Sequence, residues 1–465
     1  MKKLLNRLDL SYLYAFIGEA TLGLTFVFYI LLARILGPDQ YGVFAAATAL
    51  AGILSFFIQF GLPALLTREV AAHPDRGPKE TSTFLVLEGL LSIPVLLLLP
   101  FLAGIFKFDS NGLVVCYIVV LAEVCRSAKQ TLRGVIRGLG QFRTETTSVA
   151  LERFLSVAFA SLTLFWTENL IWVVGIFTII RILDIIGLIF YLCRKTKIWS
   201  RLSLKSLWHS LRISYPFALS SVLWILYYQI DILMLKGLAQ TSDVGFYNAA
   251  YRIIEVFGSV PRVVFLVSFT RMARCHENHP EKLSTELYKT AYLLLLSTLP
   301  LLIVSGFGQQ IIINTLYGKD YYLAGASLAI LLPSLGIKMF GTLVEYFLQA
   351  TQREHLLPML LGVTVVLNTT LNAVLIPYLG AVGAALATLS SEIVLAIFGL
   401  WIMARVGFAQ VGRTLQIISL FSLLAAATPS FLLNGLNPLI CLGILLMSIG
   451  IIVSFSAKNF CRSLS

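Results

Sequence analysis

The chain alternates long apolar segments with short polar connections. Most segments reach about 20 residues or more, the length that a helix needs to cross a hydrocarbon core about 30 Å thick. Strands of a membrane barrel are shorter, at about 10 residues, and alternate apolar with polar positions. The pattern therefore predicts an all-α, polytopic membrane protein with about fourteen transmembrane helices. Their approximate cores are 10–36, 41–66, 82–106, 112–138, 145–166, 170–193, 213–237, 244–272, 286–314, 323–350, 355–377, 380–405, 413–433 and 437–456.

A tight turn between the first two predicted helices is marked by Gly37-Pro38. Proline has no N–H to continue a helix, and it biases the preceding residue away from the helical region. The second helix opens with residues 41–47, which resemble residues 244–250 at a shift of 203 positions. A hairpin that is repeated in this way indicates two similar halves.

A second correspondence joins the sixth and twelfth predicted helices. Residues 174–184 match residues 382–392 at a shift of 208, and each segment ends on an acid nine residues after a glycine. Because six predicted helices separate the repeats, both halves start on the same side, as in parallel repeats. We expect two pseudo-symmetric six-helix lobes and two additional helices. The predicted boundaries are 1–194 for the N-lobe, 195–212 for a cytoplasmic amphipathic linker, 213–405 for the C-lobe and 406–465 for the two C-terminal helices.

Composition agrees with a membrane protein. Hydrophobic residues make up 58% of the chain and charged residues 12%, and the mean hydropathy is +0.87. A soluble domain carries about 25% charged residues. The net charge of +12 would suggest nucleic acid in a soluble protein, but here the basic residues cluster on alternate connections, so no nucleic-acid partner is expected.

The side on which the basic residues cluster predicts the orientation. Lys and Arg are enriched at both termini and on the even-numbered connections, and we count Lys129, Arg133 and Arg137 with them. The odd-numbered connections carry only Arg34, Lys107, Lys236 and Lys319. Because basic loops stay inside, both termini are predicted to be cytoplasmic.

Motifs for chemistry are weak. The six cysteines form no CxxC pair and are interpreted as free thiols. Residues 275–279 combine Cys, Glu and two His, but their spacing is too close for a structural zinc site, so we predict a solvated loop and no metal. The sequence has no Walker A motif and no recognisable nucleophile motif, so we expect neither an enzyme nor a cofactor.

Ionisable residues inside the predicted helices are the strongest functional signal. Such groups are costly in a membrane and usually face a cavity or a partner. Three pairs have i, i+3 spacing, namely Arg181 with Asp184, Glu123 with Arg126, and Arg252 with Glu255. Arg126 and the pair Glu152-Arg153 lie near the predicted cytoplasmic ends, where we expect them to snorkel. A structural ion pair remains an alternative explanation for any one of these residues. The number of such residues together predicts a hydrated polar interior. The set is Glu19, Glu88, Glu123, Arg126, Glu152, Arg153, Arg181, Asp184, Asp231, Arg252, Glu255, Arg262, Lys338, Glu345 and Glu392.

Aromatic and polar residues also gather on the first and seventh predicted helices. The seventh carries Tyr227, Tyr228 and Asp231 within five positions. Aromatic faces beside carboxylates and amides suit sugar rings, which have apolar C–H faces and hydroxyl rims. An aromatic belt at the membrane interface explains the same residues equally well.

Several segments together resemble a known family. They are 32–42 around the first turn, 215–220, 228–231, 244–252, and 380–388 with Glu392. This combination resembles the Wzx-type oligosaccharide flippases of polysaccharide and O-antigen export, in the superfamily that also holds the MATE drug exporters and the lipid II flippase.

The resemblance implies two six-helix lobes around a central cavity lined by helices 1, 2, 7 and 8. It implies a bacterial or archaeal plasma membrane, which is the inner membrane in a Gram-negative cell. The implied cargo is a sugar repeat unit on undecaprenyl diphosphate, and membrane lipids are further partners. The implied mechanism is alternating access driven by an H⁺ or Na⁺ gradient. In the lipid II flippase two further C-terminal helices form a lipid groove, and the last two predicted helices are candidates for that part.

Charge assigns candidate roles within this scheme. A diphosphate needs fixed cations, and the candidates are Arg252, Arg34, Arg262 and Lys338. Candidates for binding the sugar or the coupling ion are Glu19, Asp231, Tyr227, Tyr228, Glu345, Asp184 and Glu392. The main alternative is an ion-coupled exporter of small cationic drugs on the same fold, which would need acids and aromatics instead. A membrane polymerase would need a large external loop with catalytic residues, and the predicted connections are short.

Overall fold

The computed structural model describes residues 10–75, 77–199, 204–403 and 405, and these contain helices and no strand. The chain divides into two compact units, Met1–Gly237 and Leu238–Ser465, which are treated one at a time below. The predicted helices 413–433 and 437–456 lie outside the described residues, as does part of the predicted linker 195–212.

Seven helices form the described part of the first unit. They are α1 (Leu10–Gln59), α2 (Leu62–Ala72), α3 (Thr81–Ile105), α4 (Ser110–Gly138), α5 (Phe142–Thr167), α6 (Leu170–Lys195) and α7 (Leu204–Leu238). Six further helices follow in the described part of the second unit. They are α8 (Thr241–Phe257), α9 (Ser259–Asn278), α10 (Pro280–Ile303), α11 (Gln309–Leu316), α12 (Ala324–Ala350) and α13 (Leu357–Met403). A π-helical turn, Val304–Gly308, joins α10 to α11.

Eight stretches of the described helices are long and apolar enough to cross a membrane. Two of them, Gly23–Gln59 and Glu354–Met403, each join two of the predicted helices across a glycine kink. The protein is therefore an all-α, multi-pass membrane protein, as the apolar pattern predicts. The count of about fourteen spans, the two pseudo-symmetric lobes and their boundaries stay predictions.

The first predicted turn is present as a sharp kink within α1. Gly37 has φ 74° and ψ 174°, a left-handed conformation that favours glycine, and Pro38 follows it. A second kink divides α13 at Gly380, which has φ 53°. There the Asp243 carboxylate accepts a hydrogen bond from the N–H of Ala381 at 3.3 Å. A side chain at Gly380 would meet that carboxylate at 2.6 Å, so both backbone conformation and space require glycine.

Two predicted helices are each divided in the structure. The predicted helix 41–66 ends at Gln59, because Phe60 and Gly61 have φ values of 42° and 74°. The predicted helix 244–272 divides at Gly258 into α8 and α9. Pro261 explains this second break, because it cannot donate to the carbonyl four residues earlier and its ring would clash there.

Two predicted connections are helical instead. Residues 275–279 do not form a loop, because α9 continues to Asn278 and only a turn at His279 separates it from α10. The amphipathic linker and the seventh predicted helix merge into α7 from Leu204 onward. No glycine or proline lies between 204 and 215 to stop the helix.

The short helix α2 lies very close to α4. A Cβ atom on Gly134 would approach the Thr67 hydroxyl to 2.8 Å, and one on Gly138 would approach the Val70 Cβ to 2.7 Å. The absence of side chains at these two positions of α4 therefore lets α2 pack directly on its backbone. Buried apolar side chains from α2, α3, α4 and α6 complete the core of this region.

Candidate functional site

Charged side chains of the first unit form one buried network. Lys129 of α4 pairs with Glu152 of α5 at 2.6 Å, and only 4% of the lysine side chain is exposed. Arg133, one turn further along α4, reaches Glu152 at 3.3 Å and Asp184 of α6 at 2.7 Å. Ser148 of α5 also donates to Asp184, at 2.9 Å. The network therefore joins three helices through charged groups that are shielded from water and lipid.

The network continues toward the middle of α4. Arg181 of α6 contacts Glu123 at 3.5 Å and donates to the backbone carbonyl of Ala122 at 2.9 Å. Glu123 pairs with Arg126 at 2.5 Å, and Arg126 reaches the Ser55 hydroxyl of α1 at 3.5 Å. The predicted Glu123–Arg126 pair is thus confirmed, and the network extends to a fourth helix.

Two sequence predictions about this region are wrong. Asp184 pairs with Arg133 across helices and not with Arg181 one turn away. Glu152 does not snorkel, because only 10% of its side chain is exposed and it binds Lys129. In both cases a cation on α4 offers a partner inside the unit, where ion pairing compensates the desolvation of each charge.

Lys129 and Arg133 fall within the predicted helix 112–138, but the sequence analysis counts them with the basic residues of a cytoplasmic connection and does not predict their burial. The structure places both on α4, where they are buried with exposures of 3% and 8%. A signal was available in the sequence. Arg126, Lys129, Arg133 and Arg137 follow each other at intervals of three, four and four residues, which is one stripe of a helix.

Glu88 of α3 is a buried acid with a different environment. Its carboxylate accepts a hydrogen bond from the Thr131 hydroxyl at 2.6 Å, and its second oxygen has no hydrogen-bond partner among the described residues. The side chain is 2% exposed.

The second unit holds a smaller charged cluster. Lys338 of α12 pairs with Glu392 of α13 at 3.3 Å, and the glutamate side chain is only 1% exposed. Glu345, two turns along α12 from Lys338, is buried and interacts electrostatically with both groups. The structure therefore brings together three of the predicted site residues, one basic and two acidic. Lys338 therefore has an acidic partner inside the unit.

Arg252 lies about three turns into α8, on a helix that begins at Thr241. It pairs with Glu255 at 2.7 Å, which confirms the predicted i, i+3 pair. The arginine side chain is 20% exposed and the glutamate 47%. The guanidinium group is therefore the more buried partner, and the acid is the one that faces outward.

The remaining predicted site residues occupy separate places. Tyr227 and Tyr228 of α7 are half-buried, and their rings meet edge to face with centroids 5.2 Å apart. Asp231, one turn further, is buried with 5% exposure. Arg34 is exposed on α1, one turn before Gly37. Glu19 lies on α1 and Arg262 on α9, and both side chains are outside the described part of the structure.

No metal centre is evident in the described part of the chain. Across residues 10–75, 77–199, 204–403 and 405, no three His, Cys, Asp or Glu side chains are placed to hold a metal ion.

The fold and these sites together define a class, a helical multi-pass membrane protein with charged groups buried among its helices. Residues 12–276 match the family model described as polysaccharide biosynthesis protein, and this match covers more than half of the chain. The chain therefore belongs to the polysaccharide biosynthesis protein family, and the resemblance to the oligosaccharide flippases is confirmed. A second family model, MatE, matches residues 216–374.

Two curated relatives carry similar sequences. A Haloferax volcanii protein named "Probable low-salt glycan biosynthesis flippase Agl15" is 23% identical over 387 residues, or 80% of this chain and 77% of the relative. A Shigella flexneri protein named "Putative O-antigen transporter" is 21% identical over 312 residues, or 62% of this chain and 72% of the relative.

Solved structures support the fold. The lipid II flippase MurJ in an inward closed conformation aligns over 97% of this chain and 99% of its own, with a TM-score of 0.71 and 15% identity. An inward-facing multidrug resistance transporter of the MATE family aligns over 84% of this chain and 95% of its own, with a TM-score of 0.68 and 16% identity. At these identities the likeness concerns the fold alone.

Proposed function

We propose that this protein flips lipid-linked oligosaccharides across a membrane for the synthesis of cell-surface polysaccharides. The observation that carries the proposal is the match of residues 12–276 to the polysaccharide biosynthesis family. The names of the two curated relatives, a glycan biosynthesis flippase and an O-antigen transporter, point to the same kind of cargo. The protein moves its cargo and performs no chemistry on it.

The cargo is a sugar repeat unit on undecaprenyl diphosphate. Its two negative charges have to be compensated inside a membrane protein, and arginine does this well because its planar fork binds two phosphate oxygens at once. Arg252 is our first candidate, since it is the more buried partner of its ion pair. Arg34 and Arg262 are further candidates. Lys338 is weaker because its acidic partner Glu392 is only 1% exposed, whereas Glu255, the partner of Arg252, is 47% exposed and its charge is screened by water.

An ion gradient drives alternating access in this scheme. The buried pair of Glu345 and Glu392 next to Lys338 is one place where a cation or a proton can be exchanged, because two acids share one basic partner. Asp231 and Glu19 are further candidates for the ion, while Tyr227 and Tyr228 offer aromatic faces to the sugar. Asp184 is weaker for either role because it pairs with Arg133.

We place the protein in the plasma membrane with both termini in the cytoplasm. Basic residues of the connections support this orientation by the positive-inside rule. In this orientation the C-terminal ends of α4 and α6 face the cytoplasm, and the cargo is loaded from that side.

A transport assay tests the proposal. Purified protein is reconstituted into vesicles that contain labelled undecaprenyl-diphosphate oligosaccharide in the inner leaflet, and an impermeant sugar-modifying enzyme reports the label that reaches the outer leaflet. We expect the wild-type protein to expose the label faster than empty vesicles do. A rate no faster than that of empty vesicles would contradict the proposal.

The drug exporter is the second candidate, and the MatE match over residues 216–374 is the observation in its favour. The same vesicles loaded with ethidium distinguish the two functions. Efflux of ethidium without movement of any lipid-linked glycan would favour the exporter.

A further inference from the structure

A cavity of about 340 Å³ opens in the first unit, at the end of α1. Its walls include Phe56 and Gln59 from α1, Phe60 from the turn after it, and Gln130 and Arg137 from α4. Ile225 of α7 closes one side. Arg137 lies at the predicted cytoplasmic end of α4 with 53% of its side chain exposed, so the cavity is next to the side from which cargo is loaded.

The cavity exists because α1 stops abruptly. Phe60 and Gly61 both adopt positive φ, so the chain leaves the direction of α1 before α2 begins. Gly134 and Gly138 then hold α2 directly against the backbone of α4. The space between the end of α1 and α4 is thus fixed by the backbone, which makes it a preformed pocket.

The side chains that face this pocket suit a sugar ring. Phe56 and Phe60 present aromatic rings with centroids 6.1 Å apart. Gln59 and Gln130 each carry an amide that both donates and accepts, and neither side chain makes a hydrogen bond to a described residue. A hexose offers apolar C–H faces for the rings and hydroxyl groups for the two amides.

Arg137 adds a charged rim to the pocket. It is held by Glu145 of α5, with its Nε donating to a carboxylate oxygen at 3.0 Å. An arginine and a glutamate held together offer further donors and acceptors to hydroxyl groups, but their charges compensate each other. The rim therefore favours a neutral sugar over an anionic one.

We propose that this pocket is a binding subsite for one neutral sugar ring of the lipid-linked cargo, used when the cargo is loaded. Ligand pockets usually have volumes of about 300–1,000 Å³. The volume of this pocket, about 340 Å³, is near the lower end of that range, so it suits a single ring and not a whole repeat unit. Two of the helices that line the pocket, α1 and α7, contain the second and seventh predicted helices, which we expect to line the transport path. The assignment to a cargo sugar rests on the proposed function, whereas the affinity of the pocket for a sugar ring does not.

Binding to two related lipids tests the subsite. The protein in nanodiscs of phosphatidylethanolamine and phosphatidylglycerol is titrated with undecaprenyl diphosphate, and then with the same lipid carrying one glucose, galactose, N-acetylglucosamine or N-acetylgalactosamine. The ratio of the two Kd values isolates the contribution of the sugar. We expect the wild-type protein to bind at least one of the sugar-bearing lipids more tightly than the bare lipid.

Two variants and one matched control locate that contribution. Gln130→Leu removes an amide and Phe56→Leu removes an aromatic face, and each should reduce the gain from the sugar about three- to tenfold. The affinity for bare undecaprenyl diphosphate should stay unchanged in both, which also shows that the variants are folded. Phe101→Leu makes the same change on α3, at a side chain that is 67% exposed and does not line the pocket, and should leave the gain intact.

The outcomes separate the subsite from the proposed function. The subsite is overturned if neither the sugar-bearing lipids nor millimolar methyl glycosides bind in a way that depends on Phe56 and Gln130, or if Phe56→Leu and Phe101→Leu behave alike. If millimolar methyl glycosides bind in a way that depends on Phe56 and Gln130 while the sugar-bearing lipids gain nothing, the cargo assignment is overturned. A wild-type protein that shows the sugar gain but flips no lipid would support the subsite and contradict the proposed function.

Discussion

Arg133 of α4 donates a hydrogen bond to Asp184 of α6 at 2.7 Å, across the interior of the first unit. Only 10% and 13% of the two side chains are exposed. Removing one partner of such a pair leaves the other charge buried without compensation, which costs about 3–5 kcal/mol.

The first prediction follows from this pair. We expect Asp184→Asn to lower the thermal unfolding temperature of the detergent-solubilised protein clearly, because the Arg133 charge loses its main partner. Glu69→Gln is the matched control. It removes an ion pair with Arg68 in which both side chains are exposed, at 56% and 38%, and should cost less than about 1 kcal/mol. Equal losses in both variants would show that burial of the Arg133–Asp184 pair has no special effect.

The second prediction concerns the contact between α2 and α4. Gly138→Ala would place a Cβ 2.7 Å from that of Val70 and 3.0 Å from the backbone oxygen of Thr67, so we expect a loss of about 1–3 kcal/mol from overpacking. Gly89→Ala in α3 meets nothing within 4 Å and should be neutral or stabilising by up to about 1 kcal/mol. Thermal unfolding of the two variants measures the difference. A neutral Gly138→Ala would mean that α2 can move away from α4.

Sequence reasoning succeeded where one residue dictates the backbone. Gly37-Pro38 predicted the kink in α1, and the apolar lengths predicted α3, α4, α5 and α6 to within a few residues. It failed at Phe60-Gly61, where Gly61 precedes α2 and Pro63 lies in its first turn, because an apolar run on both sides hides the break. The break at Gly258 could have been found, since Pro261 lies three residues later.

The sequence predicts less of the candidate site than of the fold. Spacing along one helix correctly paired Glu123 with Arg126, but it gave Asp184 the wrong partner, because Arg133 approaches it from another helix. The stripe of basic residues on α4 was assigned to a connection because basic residues near a helix end usually belong to one. Partners across helices depend on packing, which the spacing along a single helix does not contain.

The third prediction concerns Arg252. Arg252→Ala should abolish binding of undecaprenyl-diphosphate oligosaccharide, and Arg252→Lys should retain part of it, because the charge stays but the planar fork is lost. Glu255→Gln should be tolerated better than Arg252→Ala, since Glu255 is the outward-facing partner of the pair. Titration of the labelled cargo into each nanodisc-embedded variant gives the Kd values. If Glu255→Gln is as damaging as Arg252→Ala and both variants misfold, the pair is structural and the diphosphate binds elsewhere.

The fourth prediction concerns orientation. Single cysteines at Gln40, Asp109 and Lys319, in a background without native cysteines, should react with an impermeant thiol reagent added to intact cells. Cysteines at Lys197 and His276 should react only after the cells are opened. The basic residues of the connections are the reason, because positively charged loops stay in the cytoplasm. If the cysteines at Lys197 and His276 are labelled in intact cells and those at Gln40, Asp109 and Lys319 are not, the orientation of the protein is the reverse of the one predicted.

The last prediction concerns Asp231, a carboxylate of α7 that is 5% exposed. A buried acid in a membrane helix is costly and is retained where it binds cargo, an ion or a basic partner. Asp231→Asn should therefore insert into the membrane at the wild-type level and yet fail to transport. Normal transport by this variant would show that Asp231 has a structural role and no role in transport.

The most direct measurement is the initial rate at which undecaprenyl-diphosphate oligosaccharide reaches the outer leaflet of vesicles that contain equal amounts of wild-type protein, Asp231→Asn or no protein. We predict rapid exposure of the glycan with the wild-type protein, and the slow background rate of empty vesicles with Asp231→Asn. If the wild-type protein exposes the glycan no faster than empty vesicles do, the protein is not a flippase for lipid-linked oligosaccharides.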